Sequence, residues 1–108
     1  TEAIAALAAK ARDGLLRSED MAGGSFTISN PGSVGPVLRA EALLNPPQVA
    51  LLGLPGIVHA PRAVRDGDGW AIAVRPSICL SLSFDHRALD GGPVIAFLNT
   101  LKSRIESL

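Results

Sequence analysis

One stretch limits the folds open to this chain more than any other: SFDHRALDGGP, Ser83 to Pro93. Ahead of it, Ile78-Cys79-Leu80-Ser81-Leu82-Ser83-Phe84 alternates in the manner of a buried strand. The alternation stops at Asp85-His86-Arg87. Gly91-Gly92-Pro93 follow, and then Val94, Phe97, Leu98, Leu101, Ile105 and Leu108 recur at helical spacing. The pattern predicts a strand, a polar turn and a helix from about Gly92 to Ser107, with His86 at the strand end. An unperturbed imidazole titrates at about pH 6.5 and so exchanges protons near neutrality. Asp90, four positions on, would orient the ring or hold the turn, and Gly91 lets backbone approach closely. Spacing alone leaves two readings open, a proton-transferring His-x-x-x-Asp pair and a turn histidine beside a capping aspartate.

The remaining segments organise around that unit. Thr1 to Asp13 is alanine-rich, with Ile4, Leu7, Ala8 and Ala11 at helical spacing and Gly14 as a C-terminal stop. Ser18-Glu19-Asp20-Met21 reads as a short capped turn. Ser25 to Ser29 is β-prone and ends at the turn signal Asn30-Pro31-Gly32. Val34 to Leu44 is irregular, and Asn45-Pro46-Pro47 enforces an extended entry to the next element. Gln48 to Leu54 is almost continuously apolar, the mark of a strand buried on both faces. Ile57 to Val64 is a weaker strand, interrupted by Pro61. Arg65-Asp66-Gly67-Asp68-Gly69 is a hairpin loop, and Trp70 to Arg75 returns as a strand with Pro76 at an edge or bulge. The fold class is therefore α+β: helix, about five strands, helix, with a mixed or mainly antiparallel sheet covered by helices on one side.

Composition narrows the functions. The chain has 108 residues, so one domain at most, and 47% of them are hydrophobic. So apolar a composition in so short a chain implies faces that a partner covers. Ten basic and ten acidic residues balance, which favours neither nucleic acid nor a membrane surface as partner. No apolar run is long enough to span a bilayer, and no signal peptide opens the sequence. The one cysteine, Cys79, excludes an internal disulfide and suits a reducing compartment; its alternation with Ile78 and Leu80 predicts a small buried side chain. His59 stands on the weaker strand with no acid at a telling spacing and is expected at the surface. No Cys/His grouping has metal-ligand spacing.

The stretch SLSFDHRALDGGPVIAFLNTLK resembles the C-terminal signature of the dihydrolipoamide acyltransferases, the core components of 2-oxo acid dehydrogenase complexes. GGSFTISNPGSVG (Gly23 to Gly35) and NPPQVALLGLPGI (Asn45 to Ile57) resemble two further signatures of that family, in the family's order. The resemblance spans essentially the whole chain. It implies that residues 1–108 are the C-terminal part of the acyltransferase catalytic domain, a partial domain of the chloramphenicol acetyltransferase-like fold, with lipoyl and subunit-binding domains lying elsewhere.

The resemblance also implies a chemistry: acyl transfer between dihydrolipoamide and coenzyme A, the lipoyl group being carried on a separate lipoyl domain. His86 matches the family's catalytic base, Ser29 the hydroxyl that stabilises the oxyanion, and Asp90 the acid of His-x-x-x-Asp-Gly. Asn30 and Gly56 match positions along the coenzyme A channel, and no metal is implied. From the residues alone, Ser29 reads first as an ST-turn hydroxyl, and Gly56 at least as well as part of a plain tight turn. Asp85 is expected to pair with a nearby arginine, Arg87 being one candidate, and to shape the turn rather than carry protons. Family sites lie between subunits of a homotrimer, so His86 would face Ser29 of a neighbour. Such trimers build larger cores that hold the 2-oxo acid dehydrogenase and dihydrolipoamide dehydrogenase components, in the bacterial cytoplasm or the mitochondrial matrix, the cytoplasm being preferred here. Two other readings remain: O-acetylation of a hydroxylated small molecule, as in the chloramphenicol acetyltransferases, and a non-catalytic truncated scaffold.

Overall fold

A computed structural model describes all residues, 1–108. The first helix, α1, runs Glu2–Arg12 and ends in a Schellman closure. Leu15 N–H donates to Lys10 O at 2.8 Å and Gly14 N–H to Ala11 O at 3.3 Å. Gly14 takes φ 68°, the left-handed region that a side chain would resist. A 3-10 turn follows at Ser18–Met21, tied back to α1 by Lys10 Nζ on Asp20 Oδ1 at 2.8 Å.

Three short strands make the central sheet: β1 (Thr27–Ser29), β2 (Ala50–Gly53) and the strand that delivers His86, Ser81–Phe84. In chain order that last strand is β5. Its partners place β2 in the middle, parallel to β1 and antiparallel to β5. All four residues of β2 are buried, as its unbroken apolar run requires of a strand covered on both faces. The pairings fix two rungs that position the candidate site. Ser29, Gly53 and Ser81 share one end; Ala50 and Phe84 share the other.

Each face of this sheet has its own cover. Side chains paired across a ladder point to the same face, so Ala50, Leu52 and Leu82 look one way, toward α2 (Gly91–Glu106), and Phe26, just ahead of β1, lies on that side too. Val94 of α2 is buried there, and Phe97 meets Phe26 with ring centroids 6.1 Å apart. The layers do not close fully: a hollow of about 320 Å³ remains between Phe26, Val49 and Leu82 on the sheet and Leu89 and Phe97 beyond it. The opposite face is crossed by the irregular segment through Ala40, which is buried and whose carbonyl accepts a hydrogen bond from Ser81 Oγ. Gly53 permits that crossing. A Cβ there would overlap the Ala40 carbonyl and lie 2.7 Å from Ser81 Oγ.

The second sheet is a hairpin of β3 (Val58–Asp66) and β4 (Gly69–Ser77). Gly67 alone of the two loop residues has positive φ, 55°, the type II′ pattern. Pro61 does not break β3. Asp66 pairs with Gly69 next to the two-residue turn, so pairs with hydrogen bonds alternate outward from there. Pro61, opposite Val74, and Pro76, opposite His59, both fall at pairs without such bonds, where a missing N–H costs the ladder nothing. Arg65 lies over the Trp70 ring at 4.5 Å on the same face.

Three expectations change. Ile78-Cys79-Leu80 belongs to no strand but links the two sheets, so the alternation that predicted a buried Cys79 has no ladder behind it and the thiol is exposed. α1 covers no sheet, since none of its residues is buried. The strands form two sheets, three strands and two, where one was expected. Only seven of 108 residues are buried, and the chain exposes 8485 Å². A compact monomer of this mass exposes about 5,700 Å².

Candidate functional site

The sheet delivers the candidate residues in two groups. One follows β5. Asp85 N–H donates to Val49 O at 2.9 Å, which extends the β2–β5 ladder by one residue before the chain turns. Asp85 O then accepts from Ala88 and Leu89 N–H, both at 3.0 Å. The Asp85 carboxylate is gripped by Arg87: Nε to Oδ1 at 3.0 Å and to Oδ2 at 3.2 Å, Nη2 to Oδ2 at 2.7 Å, and the Arg87 backbone N–H to Oδ1 at 2.9 Å. These bonds hold the Asp85 carboxyl down at about 2, the side-chain bonds from Arg87 contributing most and its backbone N–H next. Arg87 is raised in turn by the same partner. Asp85 thus pairs with Arg87 and shapes the turn, as its sequence position suggested.

His86 sits between the two. Its ring is 72% exposed and tilts against Phe84, centroids 5.5 Å apart. Asp90 Oδ1 lies 3.9 Å from His86 Nδ1, too far for a hydrogen bond. Asp90 occupies the N-cap position of α2 but makes no capping bond with its side chain, which is 89% exposed. Neither an orienting bond nor a side-chain cap is in place.

The other group gathers at the opposite end of the sheet. Leu54 N–H donates to Ser29 O at 2.8 Å, Gly32 N–H to Leu54 O at 3.2 Å, and Gly56 N–H to Val37 O at 2.7 Å. Those bonds draw Ser29, Asn30 and Gly56 into one neighbourhood. Gly32 lies so close to Pro55 and Gly56 that a Cβ would collide with their backbone. Ser29 is half-buried. The hydroxyl turn at this corner belongs to Ser33, which donates to Asn30 O at 2.8 Å, and the hydroxyls of Thr27 and Ser81 are bonded to Gln48 Oε1 and Ala40 O. Ser29 Oγ is left uncommitted, against its reading as an ST-turn. An open hollow of about 460 Å³ adjoins, lined by Pro31, Val34, Gly35, Pro36 and Val37.

Ser29 and His86 are therefore not brought together within one chain. Three features of the site escaped the sequence: the tilted contact of Phe84 with His86, the Ala40 crossing over Gly53, and the seating of Gly32 on Pro55-Gly56. The one signal for the second was a glycine inside an otherwise apolar run. No group of three or more His, Cys, Asp or Glu side chains is placed to hold a metal ion, and no helix is long and apolar enough to cross a membrane.

Comparison with known proteins gives this geometry a context. The family model described as 2-oxoacid dehydrogenases acyltransferase (catalytic domain) matches residues 1–108. The dihydrolipoyllysine-residue acetyltransferase component of the pyruvate dehydrogenase complex of Mycobacterium bovis is 46% identical over 105 residues, 96% of this chain and 19% of that protein. The succinyltransferase component of the 2-oxoglutarate dehydrogenase complex of Haemophilus influenzae is 44% identical over 103 residues, 95% of this chain and 24% of that protein. A crystal structure of a probable dihydrolipoamide acetyltransferase from Listeria monocytogenes superposes with a TM-score of 0.84 at 42% identity, covering 96% of this chain and 42% of that one. The chain thus spans about a fifth of the length of the curated relatives it matches.

Proposed function

The chain belongs to the 2-oxo acid dehydrogenase acyltransferase (catalytic domain) family, and from that premise we propose that it is the C-terminal part of a catalytic domain moving an acyl group between dihydrolipoamide and coenzyme A. In this reading His86 is the base. It takes the thiol proton of coenzyme A, and the thiolate attacks the acyl carbonyl of S-acyl-dihydrolipoamide. Ser29 Oγ donates to the oxyanion that forms. Collapse breaks the bond to the dihydrolipoamide sulfur, and His86 returns its proton to that leaving thiolate. Asn30 and Gly56, beside Ser29, line the approach of coenzyme A along the open hollow at Pro31 and Val37.

The observation that carries the proposal is the division of the site. An exposed imidazole on a braced turn and an uncommitted hydroxyl stand at opposite ends of one sheet. Each chain thus carries both halves of an acyl-transfer site without joining them, which is the arrangement a ring of copies needs. The proposal therefore includes a homotrimer whose sites lie between neighbours, assembled into the core of a multienzyme complex with the dehydrogenase and dihydrolipoamide dehydrogenase components, in the cytoplasm.

The test is acyl transfer between coenzyme A and dihydrolipoamide by the assembled full-length protein and by His86→Ala, with native mass on both. Relatives of similar identity carry acetyl and succinyl names, so both donors are assayed. Loss of about 10²–10⁴-fold in the variant, with assembly intact, supports the reading. Wild-type activity in the variant refutes it, as does transfer to a hydroxyl acceptor alone.

A further inference from the structure

We propose that Asp85 and Arg87 are positioning residues for His86: their closed ion pair, not Asp90, fixes the turn that presents the imidazole. The inference rests on the acyltransferase reading. Residues 85 and 87 flank the histidine, so a bond between their side chains closes a small ring through the backbone of residue 86. The closure is bidentate, with Arg87 Nε and Nη2 on the two carboxylate oxygens and a further bond from the Arg87 backbone N–H. Asp85 is itself fixed to the sheet by its N–H on Val49 O and to the start of the next turn by its carbonyl. Every polar group of Asp85 is used, and each bond bears on where residue 86 stands. By contrast Asp90 lies 3.9 Å from the ring and stays 89% exposed.

Stability does not explain the pair. Arg87 is 92% exposed and Asp85 22%, and an ion pair with one end in solvent contributes only modestly to folding. A bidentate pair does contribute geometry, because the guanidinium fork matches the carboxylate in one plane. Proton transfer depends on such geometry: misplacing a reacting group by about 1 Å can cost about 10²-fold in rate. Direct binding of substrate anions by Arg87 is the rival role, but Nε and Nη2 are already committed to Asp85.

The experiment uses the assembled full-length protein and the variants Arg87→Gln, Arg87→Lys, Asp85→Asn and the double Asp85→Asn/Arg87→Gln, with His86→Ala in parallel. Values of kcat and of KM for coenzyme A and dihydrolipoamide are measured, with native mass for assembly. Arg87→Gln is the primary variant, because so exposed a side chain can be exchanged without unfolding the chain. The expected result is a fall in kcat of about 10²-fold with both KM values within about twofold. Lysine lacks the fork, so Arg87→Lys stays close to Arg87→Gln. The double variant is no worse than either single one, because all break the same pair. Wild-type kcat in Arg87→Gln overturns the proposal, and so does a loss confined to KM, full rescue by lysine, or a loss that follows disassembly. Retained activity in His86→Ala is a different failure: it removes the base itself, and both readings fall.

Discussion

If the site is divided between copies, two inactive variants should restore each other. The perturbation is co-expression, in equal amounts, of His86→Ala and Ser29→Ala in the full-length protein. The geometry sets the premise. Ser29 shares a rung with Gly53 and Ser81, while Phe84, two residues before His86, shares one with Ala50. Three residues of strand and two inter-strand spacings put Ser29 and Phe84 on the order of 14 Å apart. A base and an oxyanion donor serving one carbonyl each lie within about 3 Å of their reacting atoms. Alone, His86→Ala should lower the rate by about 10²–10⁴-fold and Ser29→Ala by about 10²–10³-fold. Random assortment into cyclic trimers makes about three quarters of them mixed, and each mixed trimer has one interface joining an intact histidine to an intact serine. About a quarter of wild-type activity per site should return. The assay is thiol transfer on the purified mixed assembly, with mass spectrometry to confirm the mixing. A mixed assembly no more active than the average of its parents refutes the division, because a site within one chain has no route to recovery. Blending the two variants after separate purification is the control and should recover nothing if subunits do not exchange.

Two further outcomes rest on the same sheet. Gly53→Ala should destabilise the protein by about 1–3 kcal/mol, read as a lower urea midpoint, because its Cβ would overlap the Ala40 carbonyl and crowd Ser81 Oγ; an unchanged midpoint would show that Ala40 does not press on β2. The Asp85–Arg87 pair should leave a mark in acid. The Asp85 carboxyl is depressed from 3.8 to about 2 in the folded chain, so the folded state binds fewer protons than the unfolded one. Its contribution to stability is therefore complete above about pH 4 and fades as the pH falls toward 2. Acid titrations of wild type and Asp85→Asn should differ above that window and converge below it; parallel curves throughout would mean that the pair does not form in solution.

How much of the fold and the site was legible in the sequence depends on the range of the interaction responsible. Local and strongly patterned features were. The apolar run of β2 announced a strand covered on both faces, the helical spacing after Pro93 gave α2 to within a residue at each end, and the glycines at 67 and 69 gave the hairpin loop. The Asp85–Arg87 pair was readable because two residues of turn bring opposite charges together without help from the rest of the fold. Errors arose where pairing decides. Pro61 looked like a break because its missing N–H seemed to remove a ladder bond, and only the register with Val74 makes that loss harmless. Cys79 looked buried because seven alternating residues read as one strand, whereas β2 is long enough to pair with only the last four. The separation of Ser29 from His86 was expected from the family resemblance, but the residues themselves do not carry it, for the same reason. It arises from β1 lying parallel and β5 antiparallel to β2, a matter of topology that no window of sequence contains.

The surface of the chain and the division of its site point to the same requirement. With a radius of gyration of 17.4 Å, the chain is more extended than the roughly 13 Å of a compact domain this long. The extension has identifiable sources. α1 buries no residue, and the β3–β4 hairpin pairs with nothing else and leaves Trp70, Ile72 and Val74 largely exposed. A two-stranded hairpin is marginal by itself, and neighbouring exposed apolar side chains such as Trp70, Ile72 and Val74 mark a surface of the kind that partners cover. Within the chain as folded these elements have no cover. In the proposed trimer, neighbouring copies supply part of that cover, and the same contacts bring an imidazole from one chain to a hydroxyl of the next. Assembly and catalysis are then one equilibrium. A substitution that weakens the contact should lower activity in proportion to the population of assembled protein, even when His86 and Ser29 are untouched.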